Sequence, residues 1–260
     1  MTDASPTTTD LQPTCPRHPD RAALNTCERC GSYACADCAG SQGRCEECRS
    51  QVAAVPSSAP RARWTSILLL ASGGAAVINL LFSAAFLLTD LEEHPLFLKV
   101  FNTYVVYTIA FVDVVSYRLT PVVFLMWKYR VIRQLNTLGQ DVGATPGWSV
   151  GWWFVPFANL VKPFRILQRT VKALSLDSLI TTVHLGIWWP ALLLTRTLRT
   201  IAERSPIGVF AIVKHNPILA YTLALGTPIC AIVATILCNH IVRRTQERLD
   251  ALRAPYALGR

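Results

Sequence analysis

Apolar residues run along this chain in long blocks, not in short alternating stretches. The longest block, Trp64 to Leu88, contains no charged residue. At about 1.5 Å of rise per residue, a helix of that length crosses a bilayer with some tilt. Gly73, Gly74, Ala75 and Ala76 give it a small-residue patch suited to close helix contact. A second block, about 103–127, carries Asp113 and Arg118, and Pro121 is expected to bend it. A third covers about 179–198, with Trp188, Trp189 and Pro190 in its middle, and a fourth covers about 217–242. Between the second and third lies WSVGWWFVPFANLV, which is apolar but too short to span. Its Trp148, Trp152 and Trp153 suit the headgroup level. Pro156 and Pro163 interrupt a helix here, and Asn159 can satisfy the backbone groups they free. The pattern predicts a mainly α membrane protein, a four-span helical bundle with an interfacial or re-entrant Trp/Pro loop.

The polar stretches divide the rest. Residues 1–14 read as a disordered tail, 15–48 as a cysteine-rich module, 49–63 as a flexible Pro/Ser/Ala linker, 64–242 as the membrane domain and 243–260 as a basic cytoplasmic tail. Only 16% of the chain is charged, against about 25% in ordinary soluble domains, which favours the membrane reading. The start of the chain lacks the basic and apolar regions of a secretory signal, so the N-terminus is expected in the cytosol. The net charge of +9 then reads as cytoplasmic loops. Arg61 and Arg63 precede the first span, and Lys128, Arg130, Arg133, Lys162, Arg165, Arg169 and Lys172 follow the second. These place the chain in the cell membrane as a multi-pass protein with both ends cytoplasmic. One loop disagrees: 196–216 carries Arg196, Arg199, Arg204 and Lys214, yet four spans put it outside.

The module at 15–48 holds four pairs of metal-ligand residues, Cys15/His18, Cys27/Cys30, Cys35/Cys38 and Cys45/Cys48. Each pair is separated by two residues, a spacing that lets both side chains reach one tetrahedral ion from a tight turn. Four pairs fill two closed Zn2+ sites. The gap between the second and third pairs is only four residues, too short for a core, so alternate pairs share an ion. That gives Cys15, His18, Cys35 and Cys38 the first zinc, and Cys27, Cys30, Cys45 and Cys48 the second. This cross-brace resembles B-box-type zinc fingers, with Cys45/Cys48 in place of their usual final His pair. Closed sites leave no open coordination position for catalysis, so both zincs are expected to be structural. The module carries Arg17, Arg21, Arg29 and Arg44 against five acids, without the basic face that phosphate binding requires. A protein partner is what remains, with a second copy of the chain as one candidate. Leu24 and Tyr33 are the apolar groups that serve such contact or else pack the small core.

The stretches FLMWKYRVIRQLNTLG (124–139) and TPGWSVGWWFVPFANLVKPFRILQ (145–168) resemble a bacterial multi-span membrane family known only as domain of unknown function 4328. Trp127, Tyr129, Arg130, Trp148, Gly151, Trp153, Pro156, Asn159, Leu160 and Pro163 carry the resemblance, which extends over about 64–245. It implies no activity. Ionisable groups inside a membrane are functional candidates by default, which singles out Asp113 and Arg118. Five residues apart, they are poorly placed to pair with each other. On a helix, Thr103, Val106, Ala110, Asp113, Tyr117 and Thr120 share one partly polar side. His184 reads as a lone packing residue, and His94, His215 and His240 as helix-end residues facing solvent or headgroups. No catalytic constellation is visible, so an enzyme is disfavoured. Two functions remain: a membrane anchor, scaffold or sensor whose zinc module binds protein, and a small transporter or channel with Asp113 and Arg118 along its path.

Overall fold

A computed structural model describes residues 13–39, 43–88, 107–180, 184–204 and 217–257. The expected tail at 1–14 therefore lies almost wholly outside the described residues, as do the loop after the first apolar block, the start of the second block and most of 196–216. The chain is mostly helical and divides into two compact units.

The first unit contains the chain up to Pro56, together with Gln134–Gln140 and the segment from Arg253 onward. Its cysteine-rich part is built from two small antiparallel hairpins. β1 (Thr14–Cys15) pairs with β2 (His18–Ala22), and β3 (Asn25–Thr26) with β4 (Tyr33–Ala34). Helix α1 (Glu46–Ala54) follows and buries Val52. Three side chains tie distant segments into this unit. Arg44 donates to the Leu138 carbonyl at 2.8 Å and lies over the Tyr256 ring. Gln134 donates to the Pro56 carbonyl at 2.7 Å, and Arg253 donates to the Val52 and Val55 carbonyls.

Residues 49–63, expected as a flexible linker, are instead largely helical. The Ala/Gln/Val run ending at Ala54 completes α1, and Val52 and Val55 are buried. Pro56 stops it. Helix α2 (Ala59–Leu88) starts at once, with the Ser57 hydroxyl accepting from the Ala59 N–H at 3.1 Å and Pro60 in the first turn, where a missing N–H is harmless.

The second unit holds most of the long helices: α2, α3 (Tyr107–Thr137), α7 (Leu185–Arg204) and α9 (Thr227–Ala257). Short elements lie between α3 and α7: α4 (Pro146–Gly151), a 3-10 turn (Ala158–Leu160), α5 (Lys162–Ala173) and α6 (Asp177–Ile180). α8 (Pro217–Tyr221) runs into α9 through a π-turn at Thr222–Gly226. Pro228, which has no N–H to give the preceding turn, accounts for the widened turn. Two helical stretches, Glu46–Ala85 and Thr222–Tyr256, are long and apolar enough to cross a membrane.

The boundaries differ from expectation in two places. The third apolar block was expected at 179–198, but its helix runs Leu185–Arg204, so Arg196 and Arg199 are helix residues and not loop charges. The expected basic tail continues α9 as far as Ala257. The small-residue patch on α2 does meet another helix: a Cβ added at Gly73 would lie 3.0 Å from the Thr235 methyl of α9, and Ala75 and Ala76 are buried. A hydrogen-bond relay joins α2, α3 and α9. Trp127 Nε1 donates to Gln246 Oε1 at 3.1 Å, Ser58 donates to the same oxygen at 2.8 Å, and Gln246 Nε2 donates to Asp250 at 2.8 Å.

Candidate metal centres and an internal charged cavity

The hairpins bring the cysteine pairs together in alternation. Cys15, His18, Cys35 and Cys38 form one group, and Cys27, Cys30, Cys45 and Cys48 the other, with the ligand atoms of each within 4.8 Å of one another. The turns that present them are local. Gly31, at φ +72°, returns its N–H to the Cys27 carbonyl at 2.8 Å, closing the loop that carries Cys27 and Cys30. Cys38 and Ala39 donate backbone N–H groups to the Cys35 carbonyl at 3.0 and 2.8 Å.

The spacing fits a zinc-sized ion. Four sulfurs about 2.3 Å from a tetrahedral centre lie about 3.8 Å apart, and a ring nitrogen at about 2.0 Å lies about 3.5 Å from each sulfur. Cys30 and Cys45 Sγ are 3.7 Å apart. His18 Nδ1 is 3.3 Å from Cys35 Sγ and 3.4 Å from Cys38 Sγ. A cation would also suit the thiols electrostatically. The Cys35 backbone N–H pulls Cys15 down to about 6. Burial alone would raise Cys27, but the N–H groups of Cys45, Cys30 and Arg29 hold it at about 6. Burial and then the crowding sulfurs push Cys38 up to about 11 and Cys48 up to about 12. So many sulfurs at this spacing do not all ionise side by side unless a positive centre lies between them.

The buried core around the first group is Cys15, Ala34, Cys35 and Cys38, backed by Ala39. Its content is therefore mainly the ligands themselves. Leu24 is 67% exposed and Tyr33 48%, so neither packs that core. The two groups are compatible with zinc-finger-like modules.

In the second unit, α3 and α7 run antiparallel along a cavity of about 410 Å3 that α2 and α9 also line. At one end Asp113 forms an ion pair with Arg199. At the other, Phe124 of α3 and Trp189 of α7 both contact the ring of Trp153. Asp113, Tyr117 and Thr120 line the cavity, which is the side of the helix the sequence pattern marked; Thr103 and Val106 lie outside the described residues. Arg118 lines the same cavity, but the carboxylate's partner is Arg199, on another helix. Arg199, previously only a loop charge, was missed as a site residue, because nothing local in the sequence links it to Asp113.

The Trp/Pro loop is knitted to these helices. Lys128, 2% exposed, donates from Nζ to the Pro163 carbonyl at 3.3 Å and lies 5.3 Å from the Trp153 ring centre. Trp189 Nε1 donates to the Leu160 carbonyl at 2.9 Å. Pro156 does not interrupt a helix, because α4 ends at Gly151 and turns follow, with Phe157 at φ 61°. Pro163 does not interrupt a helix but begins one, in the first turn of α5. Asn159 makes no side-chain hydrogen bond among the described residues; it lines a second hollow with Leu160 and Trp189. Trp148 and Trp152 pack on each other at 4.8 Å, with Trp148 exposed, whereas Trp153 turns inward. His184 is not alone: it stacks on His240 at 5.0 Å, which withdraws His240 from the helix-end role expected of it. His94 and His215 lie outside the described residues.

No characterised protein and no solved structure matches the chain significantly. The cysteine module and α2 fall outside the one stretch that matches a family, which starts at 94 and not at 64. That stretch, residues 94–247, matches the family described as Domain of unknown function (DUF4328), and with more than half its length in the match the chain belongs to this family.

Proposed function

We propose that the chain is a four-span membrane protein whose N-terminal module, folded around two structural Zn2+ ions, docks a protein partner on the cytoplasmic side. The two complete four-ligand groups carry this reading. Each group uses every ligand that it has, which suits structure and leaves no position for substrate. The exposed Leu24 and Tyr33 supply apolar contact area on the module. When Zn2+ is bound, it supplies the folding free energy that so small a core lacks, roughly 10–16 kcal/mol per site at neutral pH.

Side chains turned outward support the membrane part. Ile67, Leu70 and Leu81 on α2, Phe111, Val114 and Val122 on α3, Ile187 and Leu194 on α7, and Ile229 and Ile236 on α9 are all large, apolar and exposed. In water, four helices with such faces would form apolar patches far beyond those of a soluble monomer, whereas lipid solvates them. Lys162, Arg165, Arg169 and Lys172 lie on the exposed face of α5, opposite its buried Ile166, Leu167 and Val171, and suit anionic headgroups.

Affinity capture with the full-length protein in neutral detergent tests the docking role. The intact chain is expected to carry about two zincs and to retain a partner. The Cys27→Ser/Cys30→Ser variant is expected to lose one zinc and the partner together. Equal capture by both forms would sink the docking role.

A second reading, a small transporter or channel, is favoured by the cavity beside Asp113 and Arg118. Asp113→Asn is expected to abolish solute flux in proteoliposomes if the cavity is a path. A scaffold would keep its partners through the same substitution.

A further inference from the structure

The two ends of the cavity between α3 and α7 differ in chemistry. The lining holds three arginines, Arg118, Arg196 and Arg199, about two turns along α3 and α7 from the apolar residues, and a single carboxylate, Asp113. Asp113 is engaged with Arg199, whose guanidinium also lies 4.1 Å from the Tyr117 ring centre. Arg118 and Arg196 line the cavity while remaining exposed, and have no acidic partner among the described residues. Toward Phe124, Leu125 and Leu192 the lining itself has no charged side chain, and Lys128 lies behind the Trp153 ring. The helices that bear these residues turn apolar side chains outward, so the cavity opens among hydrocarbon-facing surfaces if they span a membrane as proposed above.

An arginine held in such surroundings is costly unless an anion meets it. Two guanidinium forks lining one cavity match the oxygens of one phosphate or carboxylate. An apolar hollow beside them is filled favourably by hydrocarbon. The volume falls in the range of about 300–1,000 Å3 usual for small-molecule sites. We propose that this cavity binds a lipid-like anion, its oxyanion head on Arg118 and Arg196 and its hydrocarbon tail along Phe124, Leu125 and Leu192. The Asp113–Arg199 pair closes the charged end and prevents the third arginine from adding to the positive charge. This assignment names a ligand, whether or not the cavity also conducts it.

Binding of radiolabelled dodecyl phosphate to the full-length protein in phosphatidylcholine nanodiscs tests the assignment. Saturable binding of about one molecule per chain is expected, displaced by unlabelled dodecyl phosphate but not by inorganic phosphate or dodecanol. Arg118→Gln/Arg196→Gln is expected to weaken it at least tenfold, and the surface control Arg244→Gln to leave it unchanged. Leu192→Trp keeps both arginines but fills the apolar end, and is expected to abolish binding; it decides the matter if the double variant does not fold. Displacement by inorganic phosphate would reduce the site to a free-anion site and overturn the lipid assignment. So would displacement by dodecanol, non-saturable uptake, or equal binding by the folded variants. Alkaline carbonate extraction of cell membranes reads the membrane placement separately. If the chain is released, the four-span reading fails, and the same binding arms are then read in neutral detergent.

Discussion

Cys15, Cys27, Cys38 and Cys48 are placed by their nearest neighbours, and their acidity follows. Cys38 and Cys48, raised to about 11 and about 12, hold their protons at neutral pH in the absence of metal. Coordination requires thiolates, so a divalent ion that enters must displace those protons. The sign is fixed: metal affinity rises with pH and falls on acidification, more steeply below about 6, where Cys15 and Cys27 also take up protons. Titrating Zn2+ into metal-free protein at pH 7 in weak buffer should release at least one proton per site, read with an indicator dye. Binding without acid release would mean that these thiols are not the ligands. The grouping of the Cys/His pairs was legible because two-residue spacing encodes a turn that one stretch of chain completes alone. The partner of Asp113 was not legible, because Arg199 reaches it only through the packing of two helices distant in sequence. Lys128 was hidden in the same way: its burial depends on the Trp/Pro loop folding back over it.

Among the elements, the long helices were read correctly where the apolar run was uninterrupted, as in α2. They were misplaced where Pro, Trp and Arg share a segment, as in α7, whose Arg199 is held by an ion pair to Asp113 that no hydropathy pattern reveals. The linker reading of 49–63 failed because Pro and Ser have two uses: here Pro56 and Ser57 end one helix and cap the next. The glycines of α2 separate contact from tolerance. At Gly73 the Thr235 methyl would stand 3.0 Å from a new Cβ, and nothing lies within 4 Å of one at Gly74. Gly73→Leu should therefore destabilise the protein by about 1–3 kcal/mol through overpacking. Gly74→Ala should be neutral or stabilising by up to about 1 kcal/mol from helix propensity. Thermal melts of the two variants in one detergent check the contrast, and equal melting temperatures would remove the α2–α9 contact as its cause.

At the scale of the molecule, the division into two units runs across the helices and not between domains in sequence order. The cysteine module shares its unit with Gln134–Gln140 and with the segment from Arg253 onward, through Arg44, Gln134 and Arg253. The sequence suggested a knob on a tether, because a zinc pattern followed by Pro, Ser and Ala looks self-contained. The distant segments that complete the unit bear no cysteine and no motif, and they join it through carbonyls that any residue could offer. This arrangement makes a prediction about unfolding. The core around the first Cys/His group is largely its cysteines, so if Zn2+ is bound as proposed, its removal takes away what the helix and hairpins pack upon. A strong chelator should then raise amide exchange at 13–56, and with it at 134–140 and 253–257, because these lose their partners in the same unit. The middle of α3 and α9, with buried Phe124, Trp127, Ala234 and Ile241, belongs to the other unit and should keep its protection. Exchange followed by mass spectrometry, with and without chelator, resolves the segments. If 134–140 stays protected while the module opens, that segment is held by its own helix. If all segments open together, the metal sites support the whole molecule and the two units are one folding unit.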